Sequence, residues 1–141
     1  MGKILCATRG GEAAYRTQDV AIGLARERGD SLLFFFVVDT HFLDRTEHAV
    51  RPDVVQEEMS RLGEFLLAMA QERAQKQGVP ASYVLRQGEF PEELKAVVGE
   101  EEVSLVILGQ PGDGESTFKL IELEALAEDV QRETGVETRI V

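Results

Sequence analysis

Short continuous apolar runs alternate with longer amphipathic stretches along this chain, and that alternation limits the folds open to it. The runs from Lys3 to Thr8 and from Leu32 to Val38 do not alternate in polarity, and neither does Leu105 to Leu108. Such continuity marks strands covered on both faces. Tyr83-Val84-Leu85 is a weaker strand signal, and Val136 to Val141 reads as a closing strand. Between them, Glu12 to Arg28 sets Ala14, Thr17, Ala21, Leu24 and Ala25 on one helical face, with Gly29 as a stop. Val55, Met59, Leu62, Leu66 and Met69 form a second stripe, expected to be the core face of a helix ending near Gly78-Val79-Pro80. Pro91 is expected at the first helical position, ahead of Glu92 and Glu93, which suit the positive end of a helix dipole. Leu123, Leu126, Ala127 and Val130 mark a last helix, stopped by Gly135.

Strands alternating with helices of this length predict an α/β fold, an open, doubly wound parallel sheet with helices on both faces. At 141 residues the chain holds one domain, residues 1–141. The 26 acidic residues against 15 basic ones leave a formal charge of -11, which repels nucleic acid and anionic membrane. No apolar run approaches a membrane span. Met1 to Cys6 carries one basic residue and no apolar targeting core, so the expected location is cytoplasmic. The single cysteine, Cys6, sits inside an apolar strand and reads as a small core residue.

In doubly wound sheets ligands sit outside the carboxyl ends of the strands, where the strand order reverses. If the first and fourth strands are the neighbours there, two glycine-bearing loops flank one crevice: Thr8-Arg9-Gly10-Gly11-Glu12 and the segment from Gly109 through Gly112 and Gly114 to Ser116 and Thr117. The second loop leads into a helix, whose free N–H groups and dipole favour an anion. Glycines there admit a close approach of backbone to phosphate. A plain strand-to-helix turn explains the same residues as economically.

The ordered set of signals resembles the universal stress protein family over nearly the whole chain. It comprises Lys3-Ile4-Leu5-Cys6-Ala7, the long second loop before Val54, Gly88-Glu89-Phe90-Pro91-Glu92-Glu93-Leu94, Ser104-Leu105-Val106-Ile107-Leu108-Gly109 and the terminal strand. The resemblance implies strand order 3-2-1-4-5, homodimers through the last strand, and a regulatory or interaction role rather than enzymatic activity. One branch of the family binds ATP with magnesium through Gly-x2-Gly-x9-Gly-[Ser/Thr]. Gly109 and Gly112 match the first pair, whereas Glu122 and Leu123 stand where the second half is expected. The Asp that such members carry after the first strand is also missing, since the chain reads Ala7-Thr8-Arg9 there. An adenine nucleotide would then meet Thr8 and Arg9 on one wall, and Val38 on the adenine side. Gly109, Gly112, Gly114, Ser116 and Thr117 would surround its phosphates. The alternatives are a dimeric interaction module that binds no nucleotide and works through an unidentified protein partner, and, on weaker grounds, an enzyme of unknown reaction.

Other chemistry has little support. Asp39 to His48 holds both histidines and three carboxylates, but at spacings that fit no standard metal site, and a solvated loop or partner contact explains it better. No serine sits in a nucleophile elbow, and no P-loop is present. Neither a catalytic residue nor a metal ligand is assigned.

Overall fold

Ile4, Leu5, Cys6, Leu32, Phe34 and Phe35 are all fully buried, as continuous apolar runs between two helical layers require. The structure, a computed structural model, describes residues 2–8, 12–39, 52–110 and 120–141. In chain order its elements are β1 (Lys3–Ala7), α1 (Glu12–Arg28), β2 (Ser31–Asp39), α2 (Pro52–Lys76), β3 (Ala81–Gly88), α3 (Phe90–Glu100), β4 (Leu105–Leu108), α4 (Leu120–Thr134) and β5 (Glu137–Ile140). The strands form one parallel sheet in the order β3-β2-β1-β4-β5, as the resemblance implies.

Alternate strand residues serve opposite layers. Ile4, Cys6, Leu32, Phe34, Leu105 and Ile107 meet Ala21, Ile22 and Ala25 of α1 and Leu67, Ala70 and Ala74 of α2. Leu5, Leu33, Phe35, Val106 and Leu108 meet α3 and α4 through Leu94, Val97, Leu123, Leu126 and Val130. The rings of Phe35 and Phe90 lie 5.9 Å apart in this second layer. Gly29 and Gly135 end α1 and α4 with φ of +69° and +73°, a conformation that glycine adopts without strain. α3 begins at Phe90, one residue before Pro91, with Glu92 and Glu93 in its first turn.

One expectation is corrected. The stripe Val55, Met59, Leu62, Leu66 and Met69 is not the sheet-facing side of α2: Leu62 is 56% and Met69 38% exposed. The residues that face the sheet are Gly63, Leu67, Ala70 and Ala74. The cause is the bulk already present on the sheet. A Cβ at Gly63 would lie 2.6 Å from Phe36 Cδ1 and 2.8 Å from Leu85 Cδ1, so at that point the helix approaches the sheet closely enough to require glycine, while Leu67 packs one turn further on.

Candidate functional site

The sheet winds from β1 through β2 to β3 in one direction and through β4 to β5 in the other, so its order reverses between β1 and β4. The β1–β4 register aligns Ile4 with Leu105 and Cys6 with Ile107. Continued for two residues, it brings the end of β1 at Thr8 beside Gly109. The two loops singled out from the sequence therefore leave the sheet side by side.

Thr8 is 3% exposed and turns its side chain beneath α1. Its N–H donates to Phe35 O (2.9 Å), and its Oγ1 accepts from Gln18 Nε2 (2.9 Å). Gln18 Oε1 in turn accepts from Arg73 Nη1 of α2 (2.6 Å), while Arg73 Nη2 donates to Asp19 Oδ1 (2.6 Å). Because a guanidinium only donates, the Gln18 amide must present its oxygen to Arg73 and its NH2 to Thr8. The Arg73 guanidinium also stands 4.9 Å from the centroid of the Tyr15 ring. A polar chain thus runs from the end of β1 to the seam between α1 and α2.

Gly109 has a packing reason to be glycine. A Cβ there would lie 2.3 Å from Thr17 Oγ1, because α1 presses on the end of β4. This glycine by itself is therefore no sign of a phosphate. Val38 is fully buried. Ser31 N–H donates to Gly2 O on the β1 side, whereas Leu32 N–H donates to Pro80 O on the β3 side. By that alternation the backbone of Val38 turns toward β3, where Val38 pairs with Gln87. Val37 turns its N–H and C=O the other way. Pairing of β2 with β1 ends at Phe35, whereas pairing with β3 continues to Asp39. Among the described residues β2 thus runs beyond its pairing with β1 by Phe36 to Asp39, with the Val37 peptide groups turned to the β1 side.

Arg9, Gly112, Gly114, Ser116 and Thr117 lie outside the described residues, as do residues 40–51 with both histidines. Among the described residues no cluster of His, Cys, Asp or Glu can hold a metal ion. Burial pushes the Cys6 thiol up to about 12, so it is protonated and unreactive at neutral pH. Lys95 Nζ bridges Asp129 Oδ2 (2.5 Å) and Glu133, tying α3 to α4. The hydrogen bond from Lys95 holds the Asp129 carboxyl below its usual range. The motif's missing second half falls in α4, where Glu122 is exposed and Leu123 is core.

A sequence profile of the universal stress protein family matches residues 1–137. The chain belongs to this family. Among solved structures, a universal stress family protein from Burkholderia pseudomallei is similar at TM-score 0.76 and 22% identity, covering 99% of this chain and 95% of the other. A universal stress protein in complex with cAMP aligns at TM-score 0.69 and 20% identity, covering 99% and 96%. One from Archaeoglobus fulgidus in complex with dAMP aligns at 0.62 and 15%, with 99% and 96% covered. At these identities the likeness establishes the fold. No curated protein matches the sequence significantly.

Sequence reasoning missed Gln18, Arg73 and the Val37 backbone. Gln18 had a legible signal: it lies four residues after Ala14, on the apolar side of α1, where a polar residue needs a buried partner. Val37 had none, because which way a strand's peptide groups turn depends on register.

Proposed function

We propose that this universal stress protein is a regulatory module that holds an adenine nucleotide beyond the ends of β1 and β4. The observation that carries this reading is that, among the described residues, β2 runs on beyond its pairing with β1, with the N–H and C=O of Val37 turned to the β1 side. An N–H beside a C=O complements the acceptor and amino donor that adjoin on the adenine edge. Val38 keeps the strand in place beside it. In this reading Thr8 and Arg9 would bound the near wall and Gly112, Gly114, Ser116 and Thr117 would surround the phosphates, with Gly109 set by its packing against Thr17. Support comes also from two relatives of the same fold whose structures hold cAMP and dAMP.

β1 ends in Ala7-Thr8-Arg9, with no carboxylate there to hold a metal. Magnesium, if it accompanies the nucleotide, is carried by the phosphates. With Glu122 and Leu123 replacing a glycine and a hydroxyl, affinity is expected not to rise from AMP to ATP. We further place the protein in the cytoplasm, and among the described residues no helix is long and apolar enough to cross a membrane. Homodimers form through β5 in this reading, using the outward groups of Thr138 and Ile140.

A second reading, a dimeric interaction module without nucleotide, draws on one observation: Gly109 is explained by Thr17 alone. The two are separated by titrating AMP, ADP and ATP, with and without magnesium, while following the unfolding midpoint and the binding heat. A ligand specific to the native state adds about 2.7 kcal/mol of stability at a hundred times its dissociation constant. Val37→Pro removes the N–H that turns toward β1 and leaves the β3 pairing intact. It is expected to abolish the shift while the free protein still unfolds cooperatively. No shift at millimolar nucleotide would overturn the first reading in favour of the second.

A further inference from the structure

Between the C-terminal halves of α1 and α2 lies a groove of about 400 Å³, lined by Asp19, Ile22, Gly23, Arg26, Arg73, Lys76 and Gln77. We propose that it binds a small organic anion, a carboxylate or phosphate group carried on an apolar body. The inference is independent of the nucleotide reading.

Three cations and one carboxylate line this groove in a chain whose net charge is -11. The local excess of positive charge runs against the rest of the molecule. Each cation is held differently. Arg73 is pre-organised by Gln18, Asp19 and the Tyr15 ring. Arg26 bonds the neutral Gln77 Oε1 at 3.3 Å and, among the described residues, makes no ion pair. Among the described residues Lys76 pairs with Glu72 (3.2 Å), one turn back on the same helix and similarly exposed. Such a pair is weak and yields readily to a better anion. Two of the three cations can therefore turn to a ligand.

Arg26 and Arg28 in the last turn of α1, and Arg73 and Lys76 in that of α2, also offset the negative ends of those helices. That role does not account for Gly23. Glycine is among the worst residues for a helix interior, and this one sits more than a turn inside α1. A Cβ on Gly23 would meet nothing within 4 Å, so no protein neighbour requires the glycine. Gly99 is equally uncrowded but lies in the last turn of α3, where the helix ends anyway. At Gly23 the missing side chain bares helix backbone on the groove floor beside Ile22. The volume is near the lower end of small-molecule sites. It suits an anion with a short apolar tail, which Gly23 and the small exposed edge of the core residue Ile22 would receive while Arg26 and Lys76 take the charge.

The test is a titration of the 15N-labelled full chain with octanoate and, separately, with inorganic phosphate, read by amide chemical shifts. Saturable shifts at Gly23, Arg26 and Gln77 with octanoate are expected, with phosphate at least tenfold weaker for want of an apolar body. The combined Arg26→Gln and Lys76→Gln variant should bind at least tenfold more weakly. Gly23→Leu should do the same by filling the floor, yet raise the melting temperature. Leu62→Ser, on the exposed flank of α2, should change nothing. Absence of shifts up to tens of millimolar octanoate would overturn the proposal. So would shifts that survive the charge removal, or phosphate binding as tightly as octanoate.

Discussion

Replacing Gly109 with alanine tests the contact that most shapes the candidate site. The new Cβ would sit 2.3 Å from Thr17 Oγ1, 3.3 Å from Thr17 Cβ and 3.4 Å from Cγ2. The first distance is about 1 Å inside normal contact, whereas the other two are tolerable. Thr17 is 3% exposed on a helix that also seats Gln18 under Arg73, so it has little room to retreat. Overpacking of this kind costs about 1–3 kcal/mol. For a domain of this size that lowers the melting temperature by roughly 3–9 °C. Thr17→Ala alone loses a buried hydroxyl and methyl, for about 1–2 kcal/mol. In the double variant the offending oxygen is gone, and the loss should fall short of the sum by about 1–2 kcal/mol. Equilibrium unfolding in urea at constant slope measures all four proteins. The double variant should also retain nucleotide affinity, since the glycine serves packing. Strict additivity would refute the claim that α1 dictates the glycine, and would return Gly109 to the phosphate loop.

Three further outcomes are expected. Cys6, fully buried and with its thiol pushed up to about 12, should resist a disulfide reagent in the native protein and react at once in denaturant; rapid native labelling would contradict that burial. Asp129 is held below its ordinary range by Lys95, so its contribution to stability is complete above about pH 4 and fades as pH falls through its folded value. Lys95→Met should therefore flatten the decline of melting temperature between about pH 5 and pH 2, and parallel curves would show that the pair contributes nothing. Gln131 Oε1 accepts from the outward N–H of Thr138 (3.0 Å), blunting the free edge of β5. Gln131→Ala should then strengthen dimerisation severalfold in sedimentation equilibrium, and weakened dimers would place the interface elsewhere.

Much of the architecture was legible because exposure to two helical layers is a local property. Ile4 to Ala7 and Leu105 to Leu108 are apolar at every position, the pattern of a strand covered on both faces. β3 was fainter for a physical reason. It is an edge strand with Ser82, Tyr83 and Gln87 exposed, so its continuous run is broken by polar residues. On α2 the largest apolar residues drew the eye to the wrong ridge. Hydrophobic periodicity weighs side chains by size, whereas the helix was seated by what Phe36 and Leu85 had already filled.

The sequence by itself determined the order of strands and helices along the chain and the layers that cover them. Each of these follows from periodicity and chain direction within a short window. Tertiary structure alone decided that Gly109 yields to Thr17, that Thr8 faces Gln18 under α1, and that the Val37 peptide turns to the β1 side. Those relations join residues far apart in the chain, and they depend on strand register and helix seating, which no local pattern encodes.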